Sequence, residues 1–283
     1  MKNSQGAPTP LIRTAFITGC SSGIGRAAVT SFAARGWNVV AGVRSLESVV
    51  FEPCENVVVV PLDVTIDDQI QHAVELTVNR FGRIDVLVNN AGYALAGLFE
   101  SLSPESVNAQ FATNVFGLLN VTRASLPHLR ASGGVIVNVS SRAGLIGLPM
   151  MSMYCASKYA VEGFSEALAF ELASQNVAVK LIEPSGGVSD TNFGMRAKAE
   201  AARSAILASY EDFVERMEGA SAATRAVHMI SSAECAEHVY AAATDGTSRL
   251  RYVIGVDTGG LLNAKQSMSD DGYWAYARAK HGA

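Results

Sequence analysis

The chain has 283 residues, of which 49% are hydrophobic and 17% are charged, and its formal net charge is −4. This composition can bury a substantial core, and no segment carries the basic stripe that nucleic-acid-binding proteins present. The four cysteines are widely scattered, and neither they nor the five histidines show metal-ligand spacing. We therefore expect reduced thiols and no metal site.

The N-terminal segment shows no targeting signal. Its first thirteen residues, MKNSQGAPTPLIR, are polar and contain prolines, and the chain has no run of eighteen apolar residues. We therefore expect a disordered leader over residues 1–13, no membrane-spanning helix and a cytoplasmic protein.

From Thr14 onward, short apolar runs alternate with helical patterns. The strands are predicted at Thr14 to Thr18, Trp37 to Val43, Asn56 to Val60, Ile84 to Val88, Gly134 to Val139, Val177 to Glu183 and Arg251 to Gly255. The helices are predicted at about Ile24 to Ala34, Asp67 to Phe81, Ser103 to Arg130, Tyr154 to Ala173 and Ala233 to Ala243. Continuously apolar strands that alternate with helices are typical of a parallel sheet covered on both faces, so the fold class is α/β.

The region after the sixth strand is less regular. Its alanine-rich segment from Asn192 to Gly219 predicts one or two helices, in a position that suits a substrate lid over about residues 190–225. No linker or internal repeat interrupts the chain. We expect one domain over residues 14–263 and a polar C-terminal tail over residues 264–283.

The turn after the first strand, TGCSSGIGR, is rich in glycine. Backbone amides at a helix N-terminus bind anions, and glycine lets a dinucleotide pyrophosphate approach closely. Glycines in such a turn can also serve only as turn formers. The predicted cofactor contacts in this turn are Gly19, Ser21, Ser22, Gly23, Ile24 and Gly25.

The choice of nucleotide is expected at the end of the second strand, where an acidic residue would favour NAD and an arginine would favour the 2′-phosphate of NADP. Arg44 follows Val43 at this point. The sequence therefore favours NADP(H), with NAD(H) as the alternative.

Two further strand ends predict cofactor contacts. Asp63 of PLDVT is placed to accept a hydrogen bond from the adenine amine, with Val64 beside it; its alternative is a turn residue at the start of a helix. The motif NNAG closes the fourth strand at the sheet edge where ligands bind in open α/β folds. The contacts predicted there are Asn90, Ala91 and Gly92.

The chain contains two tyrosine and lysine pairs of equal spacing, YCASK at Tyr154 and Lys158 and YARAK at Tyr276 and Lys280. Residues four apart are neighbours on a helix, and a nearby ammonium lowers the pKa of a tyrosine from about 10. Spacing alone does not choose between the pairs. The second pair lies beyond the last strand with no serine-ending strand before it, so we interpret it as an ordinary helix or tail feature.

The motifs TGCSSGIG, NNAG, NVFG, VSS and YCASK, in this order, resemble those of the short-chain dehydrogenases/reductases over Thr14 to about Gly255. The longer stretches NNAGYALAG and NVFGLLNVTRA are similar to the 17β-hydroxysteroid-dehydrogenase-like branch. The resemblance implies a single doubly wound Rossmann-type domain with a seven-stranded, mainly parallel sheet. It also implies a homodimer or homotetramer assembled through the helices at Ser103 to Ala124 and Tyr154 to Ala173.

The resemblance further implies roles for four residues. Tyr154 would be the acid that protonates a carbonyl oxygen, and Lys158 would lower the pKa of Tyr154 and hold the nicotinamide ribose. Ser141 would polarise the carbonyl, and Asn114 would hold a water that relays protons to Lys158. These roles meet the physical needs of hydride transfer to a ketone.

The sequence departs from the family pattern after the sixth strand, where EPSGGVSDTNF has Ser185 at the position expected for glycine. Pro184, Val188 and Thr191 are predicted to border the nicotinamide. Arg142, directly after the serine of VSS, is expected to point to solvent.

The substrate side is indicated by LPMMSMY, between Ser141 and the tyrosine. Thioethers adapt to irregular apolar ligands, although these methionines can equally pack in the core or at a subunit interface. The predicted substrate contacts are Ser141, Tyr154, Tyr93, Met150 and Met151, with Pro149, Met153 and Leu95 as further candidates.

The function predicted from the sequence is a carbonyl reductase that transfers a hydride between NADP(H) and a bulky apolar or steroid-like ketone or secondary alcohol. The alternatives are an NAD-dependent secondary-alcohol dehydrogenase and a nucleotide-binding regulator without catalysis. A zinc-dependent mechanism is disfavoured because the histidines lack ligand spacing.

Overall fold

The computed structural model describes residues 11–48, 51, 54–191, 193, 207–225 and 229–282. Most of the predicted leader and residues 192 and 194–206 of the predicted lid lie outside these ranges. Residues 11–13 have no regular secondary structure.

The described residues form a parallel sheet of seven strands in the order β3-β2-β1-β4-β5-β6-β7. The strands are β1 Thr14–Thr18, β2 Asn38–Val43, β3 Val57–Pro61, β4 Val86–Asn89, β5 Val135–Val139, β6 Ala178–Pro184 and β7 Arg251–Ile254. The strand order reverses between β1 and β4, and in open α/β sheets such a switch point opens the crevice that binds ligands. The predicted doubly wound α/β class is confirmed.

Helices cover both faces of the sheet. They are α1 Gly23–Ala34, α2 Asp67–Phe81, α3 Pro104–Phe111, α4 Leu118–Ser132, α5 Ser152–Ala173, α6 Glu211–Arg225, α7 Ser232–Thr244, α8 Leu261–Ser267 and α9 Asp270–His281. On one face, α1 and α7 enclose a core that includes Phe32 and Val239. On the other face, α2, α4 and α5 enclose a core that includes Ile70 and Leu129.

The long helix predicted from Ser103 to Arg130 is interrupted. A π-helical segment, Ala112–Gly117, separates α3 from α4. A π turn holds more residues than an α turn and is frequent at functional sites. Gly117 lets the segment lie close to the loop after β3, because a Cβ there would come within 2.6 Å of Val64 Cγ2.

The C-terminal segment, expected as a polar tail, is helical instead. In α9, Ser269 accepts a hydrogen bond from Gly272 N at 3.2 Å and so caps the helix. One face of α9 is buried at Tyr273 and Ala277, which are four residues apart and pack with α8 against Ile146. This apolar face is narrow, and the polar composition of the segment therefore gives a misleading signal.

Among the described helices, none has the combination of length and apolarity that a membrane crossing requires.

Candidate active site

The turn between β1 and α1 leaves the first amides of α1 without a side-chain cap. The N-cap residue Ser22 is extended and makes no capping hydrogen bond, and the first turn of α1 holds no acidic residue. By contrast, α2 begins with Asp67 and Asp68. The positive end of the α1 dipole is therefore unopposed, and these residues fit an anionic pyrophosphate.

Two glycines of this turn are required by packing against NNAG. Gly19 has φ +71°, and a Cβ on it would lie 2.8 Å from Ala91 Cα. A Cβ on Gly25 would lie 2.4 Å from Asn90 Nδ2, which donates hydrogen bonds of 3.0 Å to the carbonyls of Thr18 and Gly19. The Asn90 side chain, predicted as a cofactor contact, thus braces the turn.

Gly23 joins the turn to the segment after β6. It has φ +57°, and a Cβ on it would lie 2.8 Å from Thr191 Cγ2. The predicted contact Thr191 therefore lies against the glycine-rich turn. Of the other residues predicted there, Ser21 is exposed and Ile24 packs partly on the core.

The ends of β2 and β3 lie at the same edge of the sheet. Arg44 directly follows β2 and is exposed, so its guanidinium is accessible to an anion beside this strand. Asp63 Oδ1 accepts hydrogen bonds from Thr65 N at 2.9 Å and from Thr65 Oγ1 at 2.7 Å. This is the turn role that was the alternative for Asp63, and one carboxylate oxygen is committed to it.

Ser141 and Tyr154 come together at the carboxyl end of β5. Ser141 caps a short turn, Arg142–Gly144, and its Oγ accepts a hydrogen bond from Ala143 N at 3.2 Å. Burial raises the pKa of the Tyr154 phenol, and a hydrogen bond with the Ser141 side chain acts in the opposite direction. The buried phenol is therefore protonated near neutral pH.

Lys158 lies one helical turn after Tyr154 on α5 and is buried. Its Nζ donates a 2.8 Å hydrogen bond to Val139 O and lies 5.9 Å from the centroid of the Tyr154 ring. Burial lowers the pKa of Lys158 to about 8, and the charge of Glu162 acts to raise it. The lysine was expected to lower the pKa of Tyr154, but burial of the phenol is the dominant influence and raises that pKa.

Asn114 lies in the π-helical segment and fastens two parts of the site. Its Nδ2 donates to Tyr93 O at 2.9 Å and to Ser157 Oγ at 3.2 Å, and its Oδ1 accepts from Tyr93 N at 3.0 Å. Both amide hydrogens are thereby used. A water held as predicted would need the acceptor atoms of Asn114.

This geometry places a helix end suited to an anion, an exposed arginine, a half-buried serine and a buried tyrosine and lysine along one edge of the sheet. A family model described as short chain dehydrogenase matches residues 13–202. The chain belongs to the short-chain dehydrogenase family. It is therefore an oxidoreductase with the nucleotide-binding Rossmann-type fold of that family.

Individual relatives agree with this assignment. An uncharacterized oxidoreductase of Schizosaccharomyces pombe is 38% identical over 209 residues, which cover 71% of this chain and 83% of the relative. A 3-ketodihydrosphingosine reductase of Bacteroides thetaiotaomicron is 40% identical over 173 residues, which cover 60% of this chain and 62% of that protein. The crystal structure of a short-chain dehydrogenase from Streptomyces avermitilis superposes with a TM-score of 0.80 at 28% identity, over 97% of this chain and 99% of the other.

Ser185, which departs from the family pattern, is accommodated without strain. It is buried, its N donates to Ile254 O at 2.8 Å, and its Oγ donates to Val256 O at 2.9 Å. The left-handed backbone is supplied instead by Gly186 and Gly187, with φ of +84° and +100°. Downstream, Val188 forms a bridge with Ile230, which anchors the segment that follows the predicted nicotinamide contact Pro184.

Near Tyr154, the structure shows one aromatic contact that the sequence analysis did not name. Phe193 packs edge-on against Tyr154, with ring centroids 5.7 Å apart, so it borders the phenol. Its only sequence signal is its position in the candidate lid. Met151 packs in the cluster that includes Tyr154.

The remaining predicted substrate contacts are held mainly through their backbones. Tyr93 O accepts a 2.7 Å hydrogen bond from Gln110 Nε2, and Leu95 N donates a 2.6 Å hydrogen bond to Gln110 Oε1. Gln110 is fully buried and was not predicted as a site residue. Met150 has φ +58° and accepts a 2.8 Å hydrogen bond from Gly97 N.

Arg142 does not point to solvent, contrary to expectation. It is half-buried where the Ser141 turn meets the C-terminal helices. Burial lowers the pKa of its guanidinium, and the carboxylate of Asp257 acts to raise that pKa. Asp257 itself accepts hydrogen bonds from Leu262 N and Asn263 N at 3.1 and 3.0 Å, so Arg142 lies beside the start of α8.

Proposed function

We propose that the protein is an NADP(H)-dependent carbonyl reductase that acts on bulky apolar or steroid-like ketones and, in reverse, oxidises secondary alcohols. The observation that carries this proposal is the buried Tyr154 phenol, which meets the half-buried Ser141 side chain at the end of β5 and lies one helical turn from the buried Lys158. Two neighbouring hydroxyls can both donate hydrogen bonds to one carbonyl oxygen, and one of them can protonate it.

The proton in this proposal moves from Tyr154. The phenolic O–H bond breaks while an O–H bond forms at the substrate oxygen, and Ser141 donates a hydrogen bond to the same oxygen as its charge develops. NADPH, when bound, supplies the hydride that the carbonyl carbon accepts. Lys158 then stabilises the phenolate left on Tyr154, because an opposite charge nearby favours the ionised form.

The protonation states favour the reductive direction. Burial raises the pKa of Tyr154, so the phenol holds its proton at neutral pH and serves as a donor. Lys158, with its pKa lowered to about 8, still carries a charge at neutral pH. Oxidation of an alcohol would require the phenolate instead, and the alternative function as a secondary-alcohol dehydrogenase is therefore expected at higher pH.

Preference for NADP(H) is proposed from Arg44. An exposed guanidinium directly after β2 offers paired donors to a 2′-phosphate, a contact worth about 1.5–3 kcal/mol. The alternative is NAD(H), for which Arg44 would remain solvated.

A bulky ketone is proposed from the groups around Tyr154. Phe193 and Met151 place an aromatic ring and a thioether beside the phenol, and thioethers adapt to irregular apolar shapes. The name of the Bacteroides thetaiotaomicron relative, a 3-ketodihydrosphingosine reductase, also describes reduction of a ketone. Membership of the 17β-hydroxysteroid-dehydrogenase-like branch is part of this proposal.

We also propose assembly as a homodimer or homotetramer through α5 and through the segment from Ser103 to Ala124, which comprises α3, the π-helical segment and the start of α4. Large apolar side chains are exposed along these elements: Phe116 in the π-helical segment is 57% exposed, and Tyr159 and Phe170 on α5 are 45% and 78% exposed. Light scattering that gives the monomer mass would contradict this assembly. The proposed location is the cytoplasm, where the four cysteines would stay reduced.

The first experiment is a fluorescence titration with NADPH and with NADH, on the parent protein and on Arg44→Asp. We expect tighter binding of NADPH, reduced at least about tenfold by the substitution. Arg130→Asp, at an exposed site near the amino end of β5, makes the same charge change at the opposite edge of the sheet and should leave binding unchanged.

Binding of NADH equal to or tighter than that of NADPH would overturn the NADP preference and direct the substrate search to alcohol oxidation. A protein that binds NADPH but turns over no ketone in a broad panel would instead favour the regulator without catalysis.

A further inference from the structure

Two carboxyl groups are buried behind the proposed catalytic residues. Glu162 lies on α5, one turn after Lys158, and is 5% exposed, whereas Glu183 lies at the end of β6 and is 0% exposed. Both groups approach the same nitrogen, Arg251 Nε, and among the described residues Glu162 Oε1 and both carboxyl oxygens of Glu183 are buried without a hydrogen-bond partner. As carboxylates both would be acceptors only, and a hydrogen bond between them therefore requires one proton.

The positive charge available to this pair is limited. Arg251 Nε lies 3.3 Å from Glu162 Oε2 and 3.5 Å from Glu183 Oε1, but its Nη2 is 2.6 Å from the exposed Glu166. Arg249 acts more weakly on Glu183. Two ionised carboxylates would therefore leave a buried negative charge poorly compensated, which is costly.

The electrostatics of the pair agree with one retained proton. Burial, followed by the charge of Glu162, raises the pKa of Glu183 to about 8. Burial also raises the pKa of Glu162, while the Ser140 hydroxyl and Arg251 act to lower it. Among the described residues, Lys158 and Tyr159 on the same helix also interact electrostatically with Glu162. These influences favour the proton on Glu183 and the negative charge on Glu162, which is closer to Arg251.

The pair lies where three segments of the site meet. A Cβ on Gly144, in the Ser141 turn, would lie 2.8 Å from Glu162 Cγ and 3.1 Å from Lys158 O. Glu162 thus packs directly beneath the turn that holds Ser141. Glu183 immediately precedes Pro184, which borders the predicted nicotinamide site.

We propose that Glu162 is a positioning residue of the active site: fixed by Arg251 and by a protonated Glu183, its carboxylate supports the Ser141 turn and sustains the positive charge of buried Lys158. The effect on turnover rests on the proposed function. The charge state of Lys158 does not, because it is a property of the cofactor-free protein.

The test is to titrate Lys158 by carbon-13 NMR in the full chain without cofactor. The chain has six lysines, and Lys158→Met assigns the signal. Glu162→Gln should move the titration of Lys158 lower by about one pH unit, because it removes the favourable charge. Glu183→Gln imitates the protonated carboxyl and should leave the titration of Lys158 in place, as should Glu166→Gln, which removes the exposed partner of the same arginine.

An unchanged Lys158 titration in Glu162→Gln would overturn the proposal, and so would an equal displacement in Glu183→Gln. If Glu162→Gln does not fold, infrared spectroscopy of the parent protein gives a second test. A protonated carboxyl band at neutral pH that disappears in Glu183→Gln supports the proposal, and its absence from the parent protein overturns it.

The consequence for activity is read from the pH profile of NADPH-dependent ketone turnover. In Glu162→Gln, the pH at which turnover falls on the alkaline side should decrease by the same interval as the titration of Lys158. A uniform loss of turnover at every pH would indicate a purely structural role and overturn the positioning role. If no ketone is turned over by the parent protein, the proposed function fails while the NMR result still decides the charge state.

Discussion

The pairs Tyr154 and Lys158 and Tyr276 and Lys280 have the same spacing on helices and similar internal geometry. The lysine nitrogen lies 5.9 Å from the ring centroid in the first pair and 5.4 Å in the second. Their surroundings differ. Tyr154 is 5% exposed and meets Ser141, whereas Tyr276 donates a 2.8 Å hydrogen bond to Gly259 O and its lysine is exposed.

The difference shows that the spacing supplies only a neighbouring cation. Chemistry at Tyr154 depends on what the end of β5 brings to the phenol, namely a serine hydroxyl and a carbonyl that anchors the lysine. The phenol of Tyr276 is already committed to a backbone carbonyl, so it joins α9 to the loop before α8. The same motif therefore serves as the proposed acid at Tyr154 and joins two segments through a hydrogen bond at Tyr276.

The largest expected effect is the loss of ketone turnover when the phenolic hydroxyl of Tyr154 is removed. Tyr154→Phe should reduce NADPH-dependent ketone turnover by about 10²–10⁴-fold, because the proton donor is lost, while NADPH binding persists in a fluorescence titration. Tyr276→Phe is the matched control and should keep turnover within about twofold. A similar loss in both variants would break the distinction between the pairs.

The second-largest expected effect is a pH dependence of ketone reduction that arises from Lys158 and not from Lys280. Burial lowers the pKa of Lys158 to about 8, so its ammonium is present below that pH and is lost as the pH rises through it. Ketone reduction should therefore fall above about pH 8, by about tenfold for each further pH unit. Steady-state rates across pH check this.

Two substitutions test whether loss of the charge on Lys158 causes the fall in ketone reduction above about pH 8. Lys158→Met should abolish the alkaline fall together with most of the turnover, whereas Lys280→Met should retain the parent profile. An alkaline limb that persists in Lys158→Met would assign it to another group.

The smallest expected effect is a loss of stability when the hydrogen bond from Tyr276 to Gly259 O is removed. Tyr276→Phe removes one partly exposed hydrogen bond and should lower the free energy of unfolding by about 0.5–1 kcal/mol, measured in urea. A substitution of Trp274 by Phe, on the same helix at a side chain that is 64% exposed, should cost less. A loss above about 2 kcal/mol in Tyr276→Phe would show that α9 depends on this contact far more than its exposure indicates.

Local patterns predicted most of the fold. The helix Asp67–Phe81 lies where its amphipathic spacing and acidic first turn place it, and the strands end within two residues of their predicted limits. The π-helical segment at Ala112–Gly117 was missed because the pattern from Ser103 to Arg130 was interpreted as one continuous α-helix. The C-terminal helices were missed because their buried face is narrow.

The candidate site also contains residues that the sequence predicted and contacts that only the structure shows. The resemblance named Ser141 and Tyr154, and the structure brings them together. The brace formed by Asn90 and the burial of Arg142 depend on contacts between segments far apart in the chain. The same holds for the carboxyl pair, since Glu162 and Glu183 lie on separate elements and no local pattern indicates that they meet.

The packing of α9 against the segment after Ser141 has a consequence for the order of assembly during synthesis. Ile146, which follows the serine turn, is covered by Leu262 and Tyr273, and these residues are translated after every strand of the sheet. Because chains emerge from the ribosome N-terminus first, a nascent chain can complete its sheet while the serine turn still lacks its cover. The last described helix to be made is thus the one that completes the surroundings of the turn that follows Ser141.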